Sequence, residues 1–266
     1  MKNIDKIIKS AYSKEDIKTM LKRLGVKEGM TLLVHSSLKG FDFLVGGPEM
    51  FVEALIETVG YEGTIVMPLQ CGQNSEPSRW MYPPIDFSLI KKVREERLPF
   101  NPKTSDIYHM GKLVEAFRRH EDVYFTSHPS CSFIAYGKFA KYICAAQPND
   151  FCLGVGSPLH RLYDTKSYSL LINVDYDNAT ILHLAESLTE VRPIIVECSM
   201  LKEGSTKLLE YALDANEEFI EIGKSLENKQ QVRILKKDEI TLKLFRNDSM
   251  VNEGIEFFRN KLKYYN

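Results

Sequence analysis

The chain has 266 residues, 44% hydrophobic and 27% charged, with a formal net charge of -1, a balance that supports a buried globular core. The near-neutral charge argues against a polyanion-binding surface, so no nucleic-acid partner is expected. No apolar run approaches the roughly 20 residues a membrane span needs, and residues 1–10 lack the long apolar core of a signal peptide.

The chain is therefore expected to be soluble and cytoplasmic, with no membrane partner. Its five cysteines, Cys71, Cys131, Cys144, Cys152 and Cys198, are scattered without any Cys-x-x-Cys pair. Disulfide frameworks and structural zinc sites favour close, paired spacings, so reduced thiols and no metal are expected. Nothing in the composition specifies an oligomeric state; a homodimer is one option.

Ser13 followed by Asp16 predicts a capped helix whose apolar positions, Ile17, Met20, Leu21 and Leu24, stop at Gly25. Thr31 to Val34 reads as a buried strand ending in His35-Ser36-Ser37. Pro48 opens a second helix carrying Phe51, Ala54, Leu55 and Val59. Glu62-Gly63 then turns into a strand, Thr64 to Met67, closed by Pro68. This strand–loop–helix–strand unit seeds an α/β sheet. Residues 70–108, rich in Pro, Asn, Ser and aromatics, read as a long irregular excursion, and such loops are often functional.

Gly111 to Arg119 and Lys138 to Ala146 read as helices around a strand at Phe133 to Tyr136. Leu159 to Tyr163 is a short helix, and Leu170 to Val174 a further buried strand. Asp177 or Asn178 is placed to cap a helix from Ala179 to about Thr189. Ile194 to Cys198, Val232 to Leu235 and Thr241 to Phe245 read as strands; Leu208 to Ile222 and Met250 to Leu262 read as helices. With no low-complexity linker and no internal repeat, one α/β domain over residues 1–266 is expected.

Three segments could carry chemistry. The first is Val34-His35-Ser36-Ser37-Leu38, at the C-terminal end of a strand, where ligands of open α/β sheets tend to sit. It is equally an ordinary strand–loop–helix connection. The phosphate-binding fingerprints G-x-x-x-x-G-K-[ST] and G-x-G-x-x-G are missing, which leaves nucleotide hydrolysis and dinucleotide binding without support.

The second is Ser127-His128-Pro129-Ser130-Cys131-Ser132. A Cys131–His128 nucleophile pair is conceivable, but residues three apart on an extended segment point in opposite directions. Cys131 is better read as a small buried hydrophobe, and His128 could simply hold its own loop. The third is the run Asn178 to Glu186. On a helix Thr180, His183 and Ser187 share a stripe with Glu186 beside them. A histidine next to a carboxylate suits general-base work at neutral pH, although a lone helical histidine is commonly structural.

Four stretches, VHSSLKGFDFLVGGPEMFVEALIETVGYEGTIVMP, TSHPSCSFIAYGKFA, FCLGVGSPLHRLYD and LLINVDYDNATILHLAE, occur in the order and spacing of aminoglycoside 3-N-acetyltransferases. The chain resembles that family over at least residues 31–186. The resemblance implies a single α/β domain with a central mixed β-sheet flanked by helices, distinct from the commoner acetyltransferase fold. It implies acetyl-CoA as donor and a small-molecule amine, on a 2-deoxystreptamine aminoglycoside, as acceptor.

By the same resemblance His183 of the T-x-L-H-x-x-E motif is the base, with Thr180 and Glu186 completing it. His35, Ser36, Ser37 and Leu38 fall in the coenzyme A site, and Ser127, His128 and Ser132 in another part of its wall. Glu186 or Asp175 would orient the His183 ring. Oxyanion donors are expected among Ser36, Ser37 and Thr180. A polycationic acceptor calls for local carboxylates, for which Glu186, Asp175, Asp177 and Glu190 are the candidates. The rival readings are the same donor with another small amine or amino sugar, a non-catalytic coenzyme A- or nucleotide-binding protein, and a Cys131–His128 hydrolase.

Overall fold

The computed structural model describes residues 7–189, 193–200, 204–211 and 216–262. In chain order the elements are β1 (Ala11–Tyr12), α1 (Lys14–Leu24), β2 (Thr31–Ser36), β3 (Phe43–Leu44), α2 (Gly47–Val59) and β4 (Thr64–Gln70). After the excursion, which holds three 3-10 turns and α3 (Ile90–Glu96), come α4 (Lys112–Phe117), β5 (Tyr124–Phe125), β6 (Cys131–Gly137) and α5 (Ala140–Ile143). The chain continues with α6 (Pro158–Asp164), β7 (Tyr168–Ile172), α7 (Leu182–Leu188), β8 (Pro193–Met200) and β9 (Gly204–Tyr211). It closes with α8 (Asn216–Asn228), β10 (Val232–Lys237), β11 (Ile240–Arg246) and α9 (Asn247–Leu262).

Seven strands form one mixed sheet in the order β10-β11-β7-β2-β4-β6-β5. The central β7, β2 and β4 are parallel, and the flanking pairings are antiparallel. Because strand residues alternate between faces, Leu32, Val34, Ile65, Met67 and Leu69 pack with α1, α2 and α4 on one side. Leu33, Val66, Phe133, Leu171 and Phe245 pack with helices including α7, α8 and α9 on the other. Both faces are covered, which is why the central strands read as unbroken apolar runs. The architecture is the helix-flanked mixed α/β sheet expected from the resemblance.

Some boundaries differ from the reading of the sequence. β4 runs through Pro68 to Gln70, because β2 pairs it only as far as Val66 and Pro68 has no ladder to break on that side. Leu208 to Tyr211 belongs to β9, zipped antiparallel to β8, so the following helix begins only at Asn216. Asp175, not Asp177 or Asn178, caps the turn after β7, its carboxylate accepting from the Tyr176 N–H at 2.9 Å. That turn is a 3-10 segment, Tyr176–Asn178, and α7 begins three residues later than expected, at Leu182.

The turn is held by a plug. Tyr176 is fully buried, its hydroxyl donates to Glu227 Oε1 at 2.6 Å, and Lys243 Nζ lies 4.0 Å over its ring. Burial and the adjacent Glu227 carboxylate push the Tyr176 phenol well up, so it stays a neutral donor. α8 passes so close that a methyl group on Gly223 would fall 2.0 Å from the Tyr176 ring. Gly223→Ala is therefore expected to cost about 1–3 kcal/mol through overpacking. Urea unfolding would register it as a lower midpoint, and an unchanged midpoint would contradict the close packing of the plug.

Candidate active site

α7 is seven residues long and has no side-chain N-cap; its first turn closes through His183 N–H to the Thr180 carbonyl at 3.1 Å. Thr180 thus precedes the helix rather than sitting on it. At the other end Thr189 Oγ1 donates back to the Ala185 carbonyl at 2.8 Å, fixing where the helix stops. The i, i+3 spacing brings His183 Nδ1 to 2.6 Å from Glu186 Oε2. The His183 side chain keeps 14% of its surface, whereas that of Glu186 keeps only 2%. Phe219 of α8 packs on the imidazole, ring centroids 5.0 Å apart.

A carboxylate that deep is tolerated only when paired and hydrogen-bonded. The contact fixes the ring orientation and leaves Nε2 as the ring nitrogen not engaged by Glu186. Behind Glu186 the next residue, Ser187, is pressed against Gly154, where a methyl group would fall 2.1 Å from Ser187 Oγ.

His35 sits opposite. It follows Leu33 on the sheet face that packs against α7 and α8, and it is buried with 8% exposed. Its Nε2 has no hydrogen-bond partner. Burial first, and the charge of the neighbouring His183 second, pull its pKa down to about 3. His35 is thus a neutral imidazole beside His183. Alternation along β2 was the signal that could have placed it there: 33 and 35 share a face, whereas 32, 34 and 36 share the other.

The remaining expected residues are dispersed. The Ser37 N–H donates to the Ile172 carbonyl at 2.8 Å, which leaves its hydroxyl as the donor it could offer. Leu38 packs against the core on the α1–α2 face. Ser36 ends β2, in register with Ile172. Thr180 is buried, and its N–H is spent on the Asn178 carbonyl at 2.9 Å. Asp175 does not orient His183: Lys243 holds it at 2.7 Å, and the same lysine meets Glu227 at 3.0 Å. The expected acidic patch is likewise not assembled from these residues. Glu186 is engaged by His183, Asp175 by Lys243, Asp177 lies exposed, and Glu190 falls outside the described residues.

The Ser127–Ser132 segment is a clasp. Ser127 is exposed. The Ser132 hydroxyl donates to the carbonyls of His128 at 2.6 Å and Thr126 at 3.1 Å. His128 Nε2 meets the Asn149 carbonyl at 3.1 Å, while Nδ1 accepts from the Cys131 and Ser130 N–H groups at 3.1 and 3.3 Å. Ser132 and His128 are buried and hold their own loop. The expectation that His128 and Cys131 point apart also fails, because a turn at Pro129-Ser130 brings the ring back over Cys131. Cys152, whose part was not legible in the sequence, joins them.

Comparisons with known proteins agree with this architecture. A profile of the aminoglycoside 3-N-acetyltransferase family matches residues 33–259. The chain is 36% identical over 264 residues, 98% of its length and 97% of the relative's, to the SPbeta prophage-derived aminoglycoside N(3')-acetyltransferase-like protein YokD of Bacillus subtilis. The crystal structure of YokD superposes with a TM-score of 0.85, covering 93% of this chain and 99% of that one. Aminoglycoside N(3)-acetyltransferase IX of Micromonospora chalcea is 33% identical over 66% of this chain and 62% of its own. A histidine-to-alanine mutant of AAC(3)-IVa in complex with a gentamicin matches at 26% identity and a TM-score of 0.79, over 97% and 92% of the two chains. The chain belongs to the aminoglycoside 3-N-acetyltransferase family and is an acyltransferase.

Proposed function

We propose that the protein transfers an acetyl group from acetyl-CoA directly to the 3-amino group of a 2-deoxystreptamine aminoglycoside, with His183 as general base. The observation that carries this reading is the buried Glu186 carboxylate at 2.6 Å from His183 Nδ1. Acetyl-CoA supplies the activated acyl group as a thioester. An acceptor ammonium is protonated at neutral pH, so a base has to take a proton before the nitrogen attacks. His183 Nε2 takes it, and Glu186 stabilises the imidazolium that results. Family membership supports the donor, and the gentamicin complex of the AAC(3)-IVa mutant supports the acceptor class.

His35 is moved in this reading from the coenzyme A wall to the base's side. A neutral ring with a buried, unpartnered Nε2 fits a polar substrate group docking against it. Being uncharged, it leaves His183 free to accept a positive charge. A second reading, the same chemistry on another small amine or amino sugar, is favoured by one observation: Asp175 is paired with Lys243 and Glu186 is turned to His183, so neither is spare for a polycation.

His183→Ala is expected to fold, to bind coenzyme A and to lose about 10²–10⁴-fold in transfer rate, measured as free thiol released from acetyl-CoA. Full activity in that variant would remove His183 from the mechanism. A panel of 2-deoxystreptamine aminoglycosides separates the acceptors: turnover with acetylation at the 3-amino group supports the first reading, and no turnover supports the second.

The depressed His35 pKa gives a stability test. The unfolded-state histidine titrates near pH 6.5 and the folded one near 3, so protonation favours the unfolded chain between those values. The His35 contribution is intact above pH 6.5 and is lost as the pH falls toward 3, at about 1.4 kcal/mol per pH unit. His35→Asn should show a correspondingly shallower fall in unfolding free energy between pH 6.5 and 4.5. Parallel curves for the two proteins would contradict the assignment of a neutral His35.

A further inference from the structure

Among the described residues, one group of soft donors gathers away from the His183–Glu186 pair. The ligand atoms of His128, Cys131 and Cys152 lie within 4.8 Å of one another, and all three residues are buried. Ser130 Oγ adds a fourth donor, 3.5 Å from His128 Nδ1 and 3.6 Å from Cys131 Sγ. The two Ser130 separations match the edges, about 3.3–3.8 Å, of a tetrahedron around a cation bound at roughly 2.0–2.3 Å, and the other three ligand atoms are near enough to close on the same ion. We infer that this cluster is a structural site for a soft, thiolate-binding divalent cation, with zinc as its best match.

The chemistry of the donor set points that way. Two sulfurs and an imidazole suit zinc over the hard cations, which take oxygen. Two thiolates cancel the charge of a divalent ion, so the loaded site is neutral where a net charge would be expensive to bury. Loading displaces one proton from each thiol: the cation and two thiols give a bis-thiolate and two protons. His128 already has the orientation of a metal ligand, with one nitrogen turned to the cluster and Nε2 held by the Asn149 carbonyl at 3.1 Å. The ring has to give up the Ser130 and Cys131 N–H groups at Nδ1, which is one cost of binding.

The surroundings fit as well. One Gln147 amide nitrogen donates to the carbonyls of both Cys131 and Cys152, at 2.7 and 2.9 Å, which fixes the two backbones beside each other. Cys131 also lines a cavity of about 310 Å³ with Gln70, Trp80 and His109, and this supplies a path of entry. Bound there, the ion would tie the 147–153 segment to the start of β6. Gly154, the next residue, is pressed against Ser187 behind Glu186. The expectation of no metal rested on sequence spacing, and Cys131 and Cys152 are paired only by the fold.

Cobalt(II) is a spectroscopic probe for zinc at such a site. Added to the reduced full-length protein, it should give sulfur-to-cobalt charge-transfer and tetrahedral d–d bands saturating at about one equivalent, bleached by zinc. Cys131→Ser and Cys152→Ser should lose the charge-transfer band, and Cys144→Ser should keep it. If the first two variants fail to fold, the wild-type protein still decides: one equivalent of zinc should slow alkylation of two thiols, mapped to Cys131 and Cys152. No thiolate band in the folded, reduced protein, a band that survives both substitutions, or unchanged alkylation of the two thiols would overturn the proposal.

Discussion

The contact on which this architecture turns is the 2.6 Å approach of Glu186 Oε2 to His183 Nδ1. Removing one member of a buried ionisable pair costs about 3–5 kcal/mol, because the other is left without compensation. An apolar pair of equal size would serve stability at least as well, yet the chain keeps a carboxylate 2% exposed beside a partly accessible imidazole. The fold meets the demands of that pair on every side. Tyr176 plugs the turn before α7, Phe219 covers the ring, and Gly154 admits Ser187. On α9, Gly254 lets the two helices close up, since a methyl group there would fall 2.8 Å from Ala185 Cβ.

The second constraint comes from the sheet. Parallel pairing sets His35 of β2 opposite Leu171 of β7, and the alternation of strand faces aims it toward the side occupied by α7. Burial keeps His35 neutral.

Much of this was legible in the sequence, and the reasons are physical. Unbroken apolar runs at Thr31 and Thr64, with Pro48 and Gly46-Gly47 between them, specified β2, α2 and β4 because local patterning decides those elements. The i, i+3 relation of His183 and Glu186 was legible for the same reason: it needs only helical geometry. What was not legible depends on distant residues. Leu208 to Tyr211 becomes a strand by pairing with β8, and a short apolar run does not announce its partner. Asp175 is claimed by Lys243, 68 residues away. His128 meets Cys131 through a turn, and Cys152 reaches both only once β6 and the 147–153 segment are folded together.

If His183 and Glu186 act as one unit, a double-mutant cycle on kcat/KM for acetyl transfer tests it most directly. With the single variants His183→Asn and Glu186→Gln and their combination, strong non-additivity is predicted: the double variant should be no slower than His183→Asn alone. Independent losses that multiply in the double variant would contradict the unit.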